Sequence, residues 1–224
     1  MANSHAPILD RSGLTDLLDQ VLKSNPQPQV MSVAFMLSYY AGMRVQEIAG
    51  LRWTPHVIDH RGEVRTHEYP ITEGPGNLLR DNLGNIVSER LPTIFIGSDI
   101  SKYTGEREIP CHTDLKKELE SLYSVSESEW VIPSGNSGAR ENLKHRAHAL
   151  RMRIKRVYTK LGLEEHSSHS GRRSYITRGA RVANMNGASI RDIQSMAGHA
   201  SIKTTQAYID ENLSGQARTT EAMW

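Results

Sequence analysis

Six side chains spread along this sequence have the types that phosphoryl chemistry needs. The stretch AGHASIKTTQAY (197–208) sets Gly198 and His199 ahead of Tyr208, with nine positions from the histidine to the tyrosine. AGMRVQEIAGLRW (41–53) places Arg44 three residues before Glu47, on one helix face, where the carboxylate can orient the guanidinium. HSGRRSYITRGA (169–180) puts His169 and Arg172 three apart, again one helical turn on one face. Lys102 stands at the edge of a turn around Tyr103-Thr104-Gly105. A tyrosine hydroxyl becomes a covalent nucleophile when its proton is removed and the arising charge is neutralised. Arginines grip phosphate through paired charged hydrogen bonds and suit a developing phosphorane. A lysine or histidine can return a proton to the leaving alkoxide.

Taken singly, each residue has a plainer reading. Arg44 pairs with Glu47 on a surface helix, His199 follows a helix-ending glycine, Tyr208 packs in a core, and Lys102 guards a sheet edge. His145 and His148 form an i,i+3 pair without a third ligand, which is not a metal site. No carboxylate cluster suggests a metal and no glycine-rich loop suggests a nucleotide, so the arginines would carry the electrostatic load.

The elements that must position these groups read as mainly helical. Residues 15–21 make a short helix, 31–40 a buried one, and 44–52 another with Ile48 and Leu51 inward. Residues 54–92 are the least regular part, where VIDHRGEV and LLRDNLGNIV resemble two strand–turn–strand units. TIFIG (93–97) and REIPC (107–111) read as a β-hairpin, and EWVIPS (129–134) as a brief strand. Thr113 is the expected N-cap of a helix with Leu115, Leu119 and Leu122 on one face. A basic helix follows, its stripe set by Leu143, Ala147, Leu150, Ile154, Val157 and Leu161. Shorter helices are expected at 169–184, at 189–197 with Ser189 capping and Gly198 ending it, and at 201–211. This is one mostly helical domain, α+β but mainly α, with a small antiparallel sheet.

Composition narrows the partners. A hydrophobic content of 38% supports a real core, and the apolar run VAFMLSYYAGM is far too short to span a bilayer. A single cysteine, Cys111, excludes an internal disulfide framework and suits a reducing cytoplasm. The net charge of +2 says little, but its distribution says more. Between Arg140 and Lys160 stand eight Lys/Arg (Arg140, Lys144, Arg146, Arg151, Arg153, Lys155, Arg156, Lys160) against one acid, Glu141. That density points to a polyanion, the alternative being a solvated helix face.

These motifs, in this order, resemble the tyrosine recombinase (phage integrase) family over roughly residues 14–212. The family pattern A-G-x-R-x-x-E-x-x-x-L-x-W is present from Ala41 to Trp53. The hairpin lysine matches Lys102 in KYTGEREIP, the H-x-x-R box matches His169 and Arg172, and the L-G-H box matches Ala197-Gly198-His199 before Tyr208. Three departures stand out: Gly171 replaces the leucine of H-x-L-R, Ala197 replaces that of L-G-H, and the interval from Trp53 to Lys102 is longer than usual.

The resemblance implies an integrase-type catalytic domain and a reaction. Tyr208 would attack a scissile DNA phosphate, giving a 3′-phosphotyrosine and a free 5′-hydroxyl. Arg44, Arg172 and His199 would hold the non-bridging oxygens, with Glu47 in support, His169 as base and Lys102 as acid. Neither a metal nor another cofactor is implied. The partner would be double-stranded DNA carrying recombination sites, bound by four protomers on two duplexes from a free monomer. The alternatives are relaxation of DNA in the manner of a type IB topoisomerase, or a DNA-binding relative without activity. Residues 1–13 would be an N-terminal extension, which leaves either a natural single-domain recombinase, favoured by Met1, or a catalytic fragment. Residues 213–224 would form a tail whose final Ala-Met-Trp docks on a neighbouring protomer or stays as a frayed end.

Overall fold

The computed structural model describes residues 6–74, 77–101, 105–134 and 142–208. Lys102, Arg140 and the C-terminal tail lie outside the described residues, as does the hairpin turn at 102–104. Helix α1 (Arg11–Ser24) is longer than its apolar core of Leu14, Leu17 and Val21 suggests, because Asp10 caps it by accepting from Gly13 N–H. α2 (Pro28–Tyr40) starts on a proline at its first position and buries every side chain from Met31 to Tyr39. Such a helix must be surrounded, and α2 packs against α1, the short α3 (Val45–Gly50), α4 (Thr113–Ser124) and α6 (Ser170–Val182).

The irregular segment after α3 builds a small sheet. β1 (Thr66–Pro70), β4 (Ser88–Ile96) and β5 (Arg107–Pro110) pair antiparallel in the order β1-β4-β5, and β2 (Thr72–Gly74) pairs with β3 (Asn77–Leu78). The β4–β5 hairpin holds the expected register, with Ile94 opposite Ile109 and Ile96 opposite Arg107. The two similar phrases fold alike. Asp59 and Asp81 each accept from the backbone N–H groups two and four residues on, closing turns at Gly62 and Gly84. Each is joined only by an isolated bridge, Ile58 to Val64 and Arg80 to Ile86, so they are tight turns rather than full strand pairs.

Three local expectations shift. His112, not Thr113, caps α4, its ring nitrogen accepting from Asp114 N–H. The 129–134 stretch is not a strand, and meets Arg52 through one bridge at Trp130. Its Trp130 ring instead takes two guanidiniums, the Arg52 carbon 4.6 Å and the Arg146 carbon 3.7 Å from its centroid. The last helix among the described residues, α8 (Ile202–Gln206), is short, and positions beyond Tyr208 lie outside the described residues.

α5 (Leu143–Lys160) buries Ala147, Leu150 and Ile154 as its stripe demands. It also buries Arg146, which corrects the reading of that residue as part of a basic face open to a polyanion. Its guanidinium donates to Ala49 O, Ile132 O and Ser134 Oγ, locking α5 to α3 and to the Trp130 segment. Arg153 is half-buried on Pro133 O and Gln27 Oε1. Lys144, Arg151, Lys155 and Arg156 are exposed.

α6, α7 (Ile190–Ala197) and α8 gather a second, smaller core of Ile176, Ala183, Ile193 and Ala197, with Met196 and Tyr208 packed on it. It seats on the main core where Gly171 meets α2: a Cβ there would stand 2.8 Å from Ser38 Oγ. The leucine that the family pattern expects at this position has no room.

Candidate active site

Four sequence-distant elements converge where the two cores meet. Arg44 caps the start of α3, and Glu47, at 0% exposure, reaches back to it. Glu47 Oε2 accepts from Arg44 N–H at 2.8 Å, while Oε1 accepts from Arg44 Nη1 at 2.9 Å. A buried carboxylate is tolerable only when its lone pairs are filled by charged or backbone donors. Here a third donor completes the set: Arg107 Nη2, from β5, stands 2.9 Å from Oε2.

The last three carbonyls before His199 are then shared among three arginines. Met196 O faces Arg107 Nε at 3.4 Å, Ala197 O accepts from Arg172 Nη2 at 2.6 Å, and Gly198 O from Arg44 Nη2 at 2.6 Å. Terminal carbonyls of a helix have no partner within it, and the negative end of the helix dipole favours cations. Gly198 makes the arrangement possible. It ends α7 in the left-handed conformation at φ 62°, and a Cβ on it would stand 2.8 Å from the Arg107 guanidinium carbon.

Arg172 is 4% exposed and its other nitrogen donates to Gly42 O. Gly42, at φ 60°, turns the chain between α2 and α3 directly over the Tyr175 ring, where no side chain fits. Burial, with help from Arg44, pulls the Arg172 pKa down to about 10, so it remains charged at neutral pH. Arg44 is the most open of the three arginines.

His199 follows the glycine and is also buried. Its Nδ1 lies 2.9 Å from Thr205 Oγ1, and its ring stacks on Tyr208 with centroids 5.8 Å apart. Burial first, then the charges of Arg172, Arg44 and Arg107, lower its pKa to about 4, with Glu47 opposing. At neutral pH the ring is therefore neutral. Tyr208 accepts at its carbonyl from Thr177 Oγ1 and lies in electrostatic reach of Arg172. A polar cleft of about 680 Å³ opens beside this group, lined by Arg107, Arg191, Gln194, His199 and Ser201 among others.

The structure thus brings together Arg44, Glu47, Arg172, His199 and Tyr208. His169 caps α6 one turn before Arg172 and is exposed. Sequence reasoning missed Arg107. Strand alternation was the available signal, because Arg107 shares a face with the buried Ile109 and so points inward.

The model of the phage integrase family matches residues 8–214. The chain belongs to the phage integrase family. Among curated proteins no sequence match was found. Among solved structures, this integrase-family chain is similar to XerA recombinase, at 20% identity and TM-score 0.60, over 100% of this chain and 65% of that one. It is also similar to the Tn1549 transposon integrase in complex with a circular intermediate DNA, at 15% identity and TM-score 0.65, covering 98% and 66%. A lambda integrase dimer bound to a core site aligns at 17% identity and TM-score 0.53, covering 91% and 48%. The chain spans just under two thirds of the first two. At these identities the likeness establishes the integrase catalytic fold.

The lowered His199 pKa carries a measurable consequence. Between pH 6.5 and about 4 the unfolded chain binds a proton that folded His199 refuses, so stability falls as the pH drops through that window and levels off below it. The effect is roughly 3 kcal/mol at most. Urea denaturation at pH 7, 5.5 and 4 should show His199→Gln losing less stability over the window than the parent protein. Parallel pH–stability curves would contradict the assignment.

Proposed function

We propose that this integrase-family chain cuts and rejoins DNA at specific sites, with Tyr208 as the covalent nucleophile. The observation that carries the reading is the surplus of buried positive charge beside Tyr208, where three guanidiniums surround one buried carboxylate among the described residues, Glu47. A phosphodiester entering the site supplies the missing counter-charge.

The phenol oxygen of Tyr208 attacks phosphorus, and its proton passes to His169 as base. The bond from phosphorus to the 5′-oxygen breaks, leaving a 3′-phosphotyrosine. Lys102 protonates the departing 5′-oxygen, and Arg44, Arg172 and His199 hold the non-bridging oxygens. Neutral His199 can do so as a donor if Thr205 Oγ–H donates to Nδ1, which leaves the proton on Nε2. Attack by the 5′-hydroxyl of a second strand reverses the chemistry and regenerates the phenol, so bond energy is conserved without ATP. Exchange between two duplexes calls for four protomers. The duplex lies along α5, whose exposed Lys144, Arg151, Lys155 and Arg156 contact phosphates.

Two measurements test this reading. Tyr208→Phe keeps the stacked ring and removes the attacking oxygen, so it should bind target DNA as the parent does and form no adduct on a nicked suicide substrate. Adducts that persist on denaturing gels would assign the chemistry to another residue. Replacing Lys144, Arg151 and Lys155 together with glutamine should weaken binding and flatten the salt dependence, the log–log slope falling by about 0.9 for each phosphate no longer neutralised. An unchanged slope would put the duplex on another face.

A further inference from the structure

Arg107 is built into the site more firmly than an accessory strand residue needs to be. Its side chain is 8% exposed, and its guanidinium carbon would stand 2.8 Å from a Cβ on Gly198, so a side chain there would push the guanidinium out of place. Nη2 holds Glu47 Oε2, the same oxygen that receives Arg44 N–H, and Nε faces Met196 O. Nη1 is buried and has no hydrogen-bond partner among the described residues. An arginine in that state carries a desolvation cost that its two hydrogen-bonding partners only partly offset. A leucine or methionine on this inward strand position would satisfy packing alone.

We infer that Arg107 is a positioning residue for strand cleavage, clamping Glu47 and the end of α7 so that Arg44 and His199 keep their places. The inference rests on the recombinase reading of the same site. The physical route is short. Glu47 orients Arg44 through both its oxygens, and Arg107 adds a third donor, from a different element, that fixes the carboxylate further. The end of α7 supplies carbonyls to Arg172 and Arg44 and leads directly into His199, so a clamp at Met196 steadies all three. Because Arg107 opens β5, directly after the hairpin turn, the clamp also ties the hairpin to the site. Lysine cannot replace it, since one ammonium group lacks the fork needed to meet a carboxylate and a carbonyl on different elements.

A double-mutant cycle separates this role from direct contact with DNA. Cleavage rates would be measured on a nicked suicide substrate at saturating protein, with DNA affinity and folded state measured in parallel. Arg107→Met should slow adduct formation roughly 100-fold, as small misplacements of catalytic groups do, with affinity changed less than about threefold. Arg107→Lys, the variant more certain to fold, should slow it about tenfold. On a Glu47→Gln background, Arg107→Met should slow cleavage clearly less than it does in the parent, because the ion-pair part of its effect is already lost and only the clamp on Met196 remains. Full multiplication of the two effects would overturn the proposal, as would parent-like cleavage by Arg107→Met. A readout without DNA completes the test: NMR titration of His199 should move upward in the arginine variant that removes the charge. An unmoved titration also overturns the positioning. A parent protein whose titration behaves as expected, yet which forms no adduct on any substrate, would instead contradict the recombinase reading.

Discussion

Three successive carbonyls at the end of one short helix hold the candidate site in shape. Met196, Ala197 and Gly198 each offer an oxygen that α7 cannot satisfy internally, and each faces a different arginine. Like charges so close repel, and the dipole at the helix terminus together with the Glu47 carboxylate offsets that repulsion. The rest of the fold is arranged around the constraint. α2 is buried on all sides so that Gly42 can present its carbonyl to Arg172, and α3 begins at the residue that must reach Gly198. Gly171 lets α6 sit flush against Ser38, which sets the depth of Arg172.

This arrangement favours an anion by preorganisation. Guanidiniums already fixed on carbonyls need not reorganise when charge develops on a phosphoryl oxygen, and burial strengthens each interaction. Burial and the same field keep His199 neutral, so its ring can only be an uncharged hydrogen-bonding group at neutral pH. Glu47 therefore has a double role, orienting Arg44 and limiting the repulsion among the arginines. The site is also the seam between the larger and the smaller core.

Much of this is legible in the sequence because the reactive groups occupy local motifs with fixed spacing. Arg44 and Glu47 are one helical turn apart, Gly198 needs the left-handed conformation that ends α7, and Ser189 begins that helix as a capping residue should. What stays hidden depends on partners far along the chain. Arg146 sits one turn before Leu150 on the apolar stripe of α5, yet a count of charges treats it as surface; Trp130 and the Ala49 and Ile132 carbonyls bring it inside. Arg107 reads as one more charge near a hairpin, because its ion partner Glu47 lies sixty positions away. The 129–134 stretch has strand composition but makes one isolated bridge, its Trp130 ring engaging the Arg52 and Arg146 guanidiniums, one of them far along the chain.

The proposed function requires the arginines to be in place before DNA binds and to stay on the α7 carbonyls through the reaction. A crystal structure with cleaved target DNA and orthovanadate, which mimics the pentacoordinate phosphorus, tests it most directly. Vanadium should bond the Tyr208 oxygen, with Arg44, Arg172 and His199 on its equatorial oxygens and the Ala197 and Gly198 carbonyls still receiving their guanidiniums. Vanadate bound away from Tyr208, or arginines that leave those carbonyls to reach it, would contradict the account.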